Sequence, residues 1–179
     1  LEELFACFHS KTRNTIRKAV KSGVVVSVEN NMFEFLEEIH IENMSSIGGI
    51  AKSHVFFEQI QALLETNNDY KIYVARYKGR PIAALLNLYF GEIVEYFTPV
   101  IDKEYRSFQP LSLLIAQAML DASKDGFKWW NWGGTWSSQE GVYKFKSRWG
   151  TQEFKYEYYI SVNDDKVYES TKEELLREY

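Results

Sequence analysis

The stretch from residue 70 to residue 100 constrains the fold most strongly. It divides into three apolar segments, 70–77, 81–90 and 92–100, which the turn sequences Lys78-Gly79-Arg80 and Gly91 separate. The middle segment is apolar at both alternating sets of positions, from Ile82 to Tyr89. Because a strand that is apolar on both faces must be covered on both sides, this segment predicts the central strand of an antiparallel meander.

A helix and a further strand are predicted after the meander. Pro110 suits the first turn of a helix, and the following apolar positions recur with the helical period as far as Gly126. Residues 127–132 return to a strand pattern, and a strand that follows such a crossover lies parallel to a neighbour in the sheet. The remaining predictions are a short helix near 139–147, a half-buried strand through Phe154, Tyr156, Tyr158 and Ile160, and a terminal helix capped by Ser170 and Glu173.

The N-terminal part of the chain predicts helices on either side of one strand. A helix over 11–22 would have Ser10 as its N-cap and turn Ile16, Ala19 and Val20 towards the core. A strand at 24–28, a helix from the Asn31 capping box to about residue 44, and a helix over 53–65 follow. The fold class is therefore α+β, with a mixed central sheet and helices on both faces, in a single domain over 1–179.

Composition narrows the class of protein further. With 179 residues, of which 45% are hydrophobic, the chain can form a full core. The single Cys7 allows no intrachain disulfide, and His9, His40 and His54 lack metal-ligand spacing, so no metal site is predicted. The longest apolar stretch, 81–90, is too short to cross a bilayer. These features predict a soluble, cytoplasmic protein.

The distribution of charge is uneven. A net charge of −4 argues against a general nucleic-acid binder, which needs a basic face. The first predicted helix nevertheless carries five positive charges, at Lys11, Arg13, Arg17, Lys18 and Lys21. This cluster is either a local patch that faces an anion or a solvated helix face.

Three segments resemble one family. They are KTRNTIRKAVKSGV at 11–24, YVARYKGRPIAA at 73–84, and NWGGT at 131–135 with GVYKFKSRWG at 141–150. The chain resembles the GNAT-fold acyltransferases, and within them the Fem-type peptidoglycan aminoacyltransferases and their single-module acetyltransferase-like relatives. The resemblance implies a GNAT-like fold, in one module that can be the C-terminal part of a longer protein.

The resemblance also implies transfer of an acyl group to an amine in a cleft between two parallel strands that splay apart. Backbone N–H groups left unpaired by the splay would hold the donor carbonyl and then its oxyanion. Donor contacts would come from Thr98 on the splayed strand and from Arg106, Gln109 and Leu111 around the start of the next helix. The loop at 105–111 contains no Gly, in contrast to the usual acetyl-CoA-binding loop.

Lys146 is the leading catalytic candidate. It precedes Gly150 by four residues within the Fem-like pattern Phe-Lys-x-x-aromatic-Gly, and its cation would stabilise charge that develops in the transition state. Tyr143, one helical turn earlier, is a candidate proton donor. Glu95 and Asp102 are alternative general bases, and water is a third.

The acceptor is less defined by the sequence. Arg13, Arg17 and Lys18 suit a diphosphate of the acceptor or the acceptor stem of a tRNA. Trp132 belongs to a cluster of five Trp residues that could stack on a sugar or a peptide, or form the core. The leading hypothesis is an N-acyltransferase that uses acyl-CoA on an amino sugar, amino acid or cell-envelope precursor. The alternatives are one module of a Fem-type enzyme that uses aminoacyl-tRNA, and a non-catalytic binding module.

Overall fold

The computed structural model describes residues 2–136, 138–157, 159, 161–164, 166–171, 174 and 175. Its centre is a five-stranded sheet in the order β1-β2-β3-β4-β5. The strands are β1 (Val24–Val28), β2 (Tyr70–Tyr77), β3 (Arg80–Phe90), β4 (Ile93–Ile101) and β5 (Trp129–Asn131). All neighbours are antiparallel except β4 and β5, which are parallel. The predicted α+β class with a mixed sheet is confirmed.

Helices cover both faces of the sheet. They are α1 (Glu2–Cys7), α2 (Ser10–Lys21), α3 (Phe33–Ser45), α4 (His54–Leu63), α5 (Pro110–Lys124), α6 (Glu140–Lys146) and α7 (Lys166–Glu169). Two 3-10 helices, Lys103–Phe108 and Ser147–Trp149, precede α5 and follow α6. The sequence did not predict α1 or either 3-10 helix.

The core lies on both sides of β3, as its two apolar faces predicted. Residues from Ile82 to Leu86 are fully buried. Ala83 and Leu85 pack on the side of α2 and α5, together with Ile16 and Ile115. On the opposite side, Ala84 and Leu86 pack with side chains of α3 and α4. We call these two sides the α5 face and the α3 face.

The pairing of β4 positions the cleft. Only Ile93, Val94 and Glu95 pair with β5, opposite Trp129, Trp130 and Asn131. Beyond this point β4 continues to Ile101 along β3 alone. The register on the β3 side shifts between Leu86 and Asn87, which leaves Phe97 as an extra residue in β4. The predicted splayed parallel pair is therefore present, and β5 is shorter than the predicted strand at 127–132.

Two predicted helix caps are wrong. The N-cap of α2 is His9, whose Nδ1 accepts the Lys11 N–H, while the His9 N–H bonds to the Arg148 carbonyl. Ser10 is instead the first residue of the helix. The cap of α3 is Met32 with no side-chain bond, rather than Asn31. Long-range contacts override the local capping signals here.

Other differences concern single positions and the C-terminal part. Val20 is exposed, although its spacing predicted a core position. The described residues among 154–161 lie outside any strand, so the predicted final strand is wrong for them; Tyr158 and Ile160 lie outside the described residues. The terminal cap falls on Thr171, whose hydroxyl accepts the Glu174 N–H, rather than on Ser170. Glu173 also lies outside the described residues.

The packing of α1 against the turn after the second 3-10 helix gives a stability prediction. Gly150 has φ +75°, and an added Cβ would lie 2.9 Å from the Cys7 carbonyl oxygen. Gly23 also has a positive φ, +83°, but nothing lies within 4 Å of its Cβ position. We expect Gly150→Ala to lower the unfolding free energy by more than the roughly 1–2 kcal/mol that the left-handed backbone alone costs. Urea unfolding measures the loss, with Gly23→Ala as the matched control, and equal losses would contradict the contact.

Candidate functional site

The splay opens directly after the Glu95–Asn131 pair. The chain leaves β5 through Trp132 and then Gly133, whose φ of +64° turns it away from β4. The Asn131 Oδ1 accepts the Gly133 N–H at 3.0 Å, which closes this turn. A Cβ at position 133 would lie 3.4 Å from Glu95 Oε1, so the carboxylate lies against the turn. Glycine at 133 therefore serves both the turn and the space beside Glu95.

Lys146 holds the same turn from the other side. Its Nζ donates to the carbonyls of Trp132 at 2.7 Å, Gly134 at 2.9 Å and Gly133 at 3.4 Å. A lysine ammonium has three donors, and this geometry directs all three at the segment that leaves β5. The predicted catalytic Lys146 thus lies at the mouth of the splay, and its position fixes the wall of the cleft as well as supplying a charge.

Burial shifts the pKa values of the two charged groups at the mouth of the splay, Glu95 and Lys146. It raises the pKa of Glu95, and this outweighs a hydrogen bond with Asn131 and the attraction of Lys146, which both lower the pKa. Burial also lowers the pKa of Lys146, against the opposing attraction of Glu95. A carboxylate with a raised pKa accepts a proton more readily than an exposed one, so Glu95 is suited to act as a base.

Tyr143 is exposed on α6, one helical turn before Lys146. A hydrogen bond with Glu153 raises the pKa of its hydroxyl. A carboxylate partner of this kind makes the phenol a weaker acid. Of the two candidates on α6, Lys146 therefore has the stronger geometric case.

Aromatic rings form the wall of the cleft on the α5 face. The Trp132 ring lies 5.0 Å from Tyr96 and 5.6 Å from Trp149, measured between centroids. Trp149 is buried and packs edge-on against Phe8 of the N-terminal segment. Trp132, a predicted acceptor contact, is half-buried in this ladder. Burial raises the pKa of the Tyr96 hydroxyl well above its usual range.

The loop before α5 contains none of the glycine-rich backbone of a phosphate-binding turn. It forms the 3-10 helix Lys103–Phe108, and Gln109 follows it with φ +60°. At the start of α5, Pro110 has no N–H, and the Ser112 N–H is bonded to the Gln109 carbonyl. Leu111 remains as a possible backbone donor, and the Arg106 side chain is exposed nearby in sequence. The backbone here is thus poorly suited to a CoA pyrophosphate.

The side chains of two further candidates, the predicted donor contact Thr98 and the alternative base Asp102, are enclosed by the fold. Thr98 is fully buried, and its hydroxyl has no hydrogen-bond partner in the described part of the chain. Asp102 accepts a bond from Arg80 and caps the 3-10 helix through the Glu104 N–H. Asp102 therefore has a structural role, and Glu95 is the better placed of the two predicted bases.

Comparison with known proteins identifies the family. A model of the acetyltransferase (GNAT) domain matches residues 8–155. The chain belongs to the GNAT acetyltransferase domain family. No protein of curated function matches the sequence.

Solved structures share the GNAT fold at low identity. FemX is 15% identical, with a TM-score of 0.74, and the match covers 84% of this chain and 56% of FemX. The chain thus spans little more than half the length of FemX. An aminoglycoside acetyltransferase from an uncultured soil metagenomic sample, solved with trehalose, matches at 14% identity and a TM-score of 0.58, over 78% of this chain and 97% of that one. A ribosomal-protein-alanine N-acetyltransferase from Brucella melitensis biovar Abortus 2308 matches at 10% identity and a TM-score of 0.59, over 78% and 99%.

The basic residues of α2 lie on this GNAT domain outside the splay. The Arg13 guanidinium donates to the Ala6 and Phe8 carbonyls, so it stabilises the end of α1. Arg17 bonds to Asn14 on its own helix, and Lys18 is exposed. Of the predicted anion-binding residues, Arg17 and Lys18 are accessible, whereas Arg13 already has backbone partners.

Lys52 was missed by sequence reasoning. Its ammonium lies 5.0 Å from the centroid of the Phe97 ring, on the bulge of β4, and its backbone N–H bonds to His40. Burial lowers the pKa of Lys52. A single lysine in a glycine-containing loop has no sequence signature, so only the fold places it near the splayed strand.

Glu95 gives a prediction for the pH dependence of stability. Because its pKa is higher in the folded than in the unfolded state, its contribution to stability is complete below the unfolded value, near 4.5, and is lost as the pH rises through the folded value. We therefore expect Glu95→Gln to raise the unfolding free energy near pH 7 and to have little such effect at about pH 4. Denaturant unfolding at both pH values measures this, with exposed Glu42→Gln as the control. A stability loss at neutral pH would show that the contacts with Asn131 and Lys146 outweigh burial.

Proposed function

We propose that this domain transfers an aminoacyl group from an ester donor to an acceptor amine at the β4–β5 splay. The fold and the family support an N-acyltransferase. The observation that carries the proposal is the convergence of three groups on one opening: the bulged part of the β4 edge just beyond Glu95, where β5 has diverged, the Glu95 carboxylate and the Lys146 ammonium. The proposal treats the chain as one transferase module, in the cytoplasm where aminoacyl-tRNA is available.

The unpaired edge of β4 supplies the electrophilic part of the site. In a parallel pair every second N–H of a strand points to the neighbour. Past Glu95, Pro99 has no N–H and the Ile101 N–H donates to the Asn43 Oδ1. The donors that can face an opening rather than β5 are therefore those at the bulge, Tyr96 and Phe97. Donors fixed by the sheet need no reorganisation to stabilise an oxyanion, and loss of one such donor typically costs about 2.7–4 kcal/mol of barrier.

The proposed step balances as follows. The acceptor nitrogen attacks the ester carbonyl carbon, forms the C–N bond, and transfers a proton to the Glu95 carboxylate. The tetrahedral intermediate places its oxyanion on the β4 edge, near the positive charge of Lys146. The ester C–O bond then breaks, and the departing ribose oxygen takes up the proton that Glu95 accepted, which leaves an amide, a free hydroxyl end and an ionised Glu95.

The start of α5 favours an aminoacyl ester over a CoA thioester. A CoA pyrophosphate relies on several backbone N–H groups at this point. Here fewer N–H groups are free, because the preceding loop is a 3-10 helix, Pro110 has no N–H and the Ser112 N–H is bonded to the Gln109 carbonyl. The terminal adenosine of a tRNA carries no pyrophosphate. Its phosphates can lie further out, where Arg17 and Lys18 are exposed.

Acyl-CoA is the second candidate donor. Single-module acetyltransferases are matched over nearly their whole length, 97% and 99%, which agrees with a self-sufficient enzyme of this size. Arg106 and Leu111 would then contact the phosphates, with Gln109 beside them. Amino sugars, amino acids and cell-envelope precursors stay the proposed acceptors for either donor.

The donor is tested by calorimetric titration of the chain with a nonhydrolysable aminoacyl-adenosine and, separately, with acetyl-CoA. We expect the adenosine mimic to bind with an affinity on the order of micromolar, and acetyl-CoA at least about tenfold more weakly. Tighter binding of acetyl-CoA would establish the second candidate. Binding of neither would leave a non-catalytic module.

Two lysines of α6 provide a matched pair of variants for the same titration. Lys146→Met removes three bonds to the 132–134 turn, whereas Lys144→Met removes one exposed pair with Glu140. We expect the first variant to lose most of the heat of binding and the second to keep it. Equal affinities for both variants would remove Lys146 from the site.

A further inference from the structure

Three exposed apolar side chains form one row across the sheet. Phe90 pairs directly with Ile93, and Ile93 pairs directly with Trp129. Residues that pair directly point to the same face of a sheet. The row therefore spans β3, β4 and β5 on one face. We call these three residues the apolar platform.

The apolar platform belongs to the α3 face but is left uncovered. Leu88, two residues from Phe90 and on the same face, packs on the α3-face core. Phe90 itself is 88% exposed, Trp129 62% and Ile93 43%. Single exposed apolar residues are ordinary, whereas three that adjoin one another mark a binding surface more often.

The next row on the same face ends in two polar residues and leads to the splay. It consists of Leu88, Glu95 and Asn131, which also pair directly. Two residues along a strand advance about 7 Å, so this row lies roughly that far from the apolar platform. The carboxylate and amide of Glu95 and Asn131 stand at the point where the strands diverge. A flat apolar surface thus ends at a carboxylate beside the site of transfer.

This arrangement matches the chemistry of an amino sugar. Sugar rings present an apolar C–H face that stacks on aromatic rings such as those of Trp and Phe. Their hydroxyl groups need donors and acceptors at the ring edge, and the Asn131 amide keeps one N–H and one lone pair beyond its bonds to Glu95 and Gly133. A protonated amine on the ring complements the Glu95 carboxylate, and that carboxylate can then accept its proton.

We propose that the apolar platform with Glu95 and Asn131 is the acceptor subsite, and that it takes an amino sugar whose ring stacks on Trp129 while its amine lies at Glu95. This inference rests on the proposed function, because it places the acceptor amine beside the splay. The aromatic stack provides affinity without depending on charge, whereas Glu95 selects the amine. A peptide amine would gain the Glu95 contact but would not cover the ring surface of Trp129.

The subsite is tested by titrating the chain with the β-1,4-linked disaccharide of glucosamine. Cellobiose, which has the same ring linkage without amines, is the second probe. We expect Trp129→Ala to weaken binding of the amino disaccharide at least about tenfold and Trp129→Phe to retain it within about threefold. Tyr168→Ala, which removes an equally exposed ring elsewhere, should leave the affinity unchanged.

Glu95→Gln separates charge from stacking. It should weaken binding of the amino disaccharide but leave the affinity for cellobiose unchanged. The proposal would be overturned if Trp129→Ala bound the amino disaccharide as tightly as the wild-type chain does. It would also be overturned if the wild-type chain bound the peptide trialanine and Trp129→Ala abolished that binding without affecting the binding of the sugar. Titration of Trp129→Ala with the aminoacyl-adenosine separates the two hypotheses. If Trp129→Ala binds the donor normally but no longer binds the sugar, the acceptor subsite is supported. If the wild-type chain binds the sugar but neither donor, the subsite is supported and the proposed transferase activity is wrong.

Discussion

The divergence of β4 from β5 after their third pair, Glu95–Asn131, is the constraint on which the rest of the site depends. β4 stays paired with β3 past this point, through the bulge at Phe97, and β3 is buried on both faces and cannot move with β5. β5 turns away because Gly133 takes a positive φ and because Lys146 ties the carbonyls of 132–134 to α6. Backbone groups of β4 are thereby left facing an opening, at the expense of ladder hydrogen bonds.

The two faces of the sheet serve this opening differently. On the α5 face, a ladder of rings from Tyr96 through Trp132 to Trp149 fills the space below the cleft and joins it to the N-terminal segment. On the α3 face, no such rings among the described residues cover the N-terminal ends of β4 and β5, and the apolar platform is exposed there. A donor and an acceptor that approach from different ends would meet at Glu95.

None of the helices in the described part of the chain has the length and apolar character needed to span a bilayer.

Sequence reasoning succeeded where one local pattern had one physical solution. The meander followed from the two apolar faces of β3, and α5 followed from Pro110 and a helical stripe that is buried as expected. It failed where distant contacts decide. The His9 cap depends on the Arg148 carbonyl, and the Asn30 side chain is bonded to Ile72 and Asn67 across the fold. The alternating pattern at 154–161 indicated a strand, but the described residues there form none, and the Tyr156 hydroxyl lies against Gly134 in the turn after β5.

The same contrast holds for the site. Lys146 and Glu95 were predicted because a motif and a strand position singled them out, whereas the three carbonyl bonds of Lys146 depend on the turn at 132–134. Lys52 and the apolar platform were missed because their residues are far apart in sequence or carry no motif. Only strand register joins Phe90, Ile93 and Trp129 into one surface.

Amide hydrogen exchange along β4, followed by NMR with and without the aminoacyl-adenosine, tests the central claim most directly. The account predicts that the amides at the bulge, Tyr96 and Phe97, exchange at least about tenfold faster than those of the same strand that bond to β3. It also predicts that donor binding slows the exchange of the splay-facing amides. Uniform protection along β4, unchanged by the donor, would contradict an open strand edge as the site of acyl transfer.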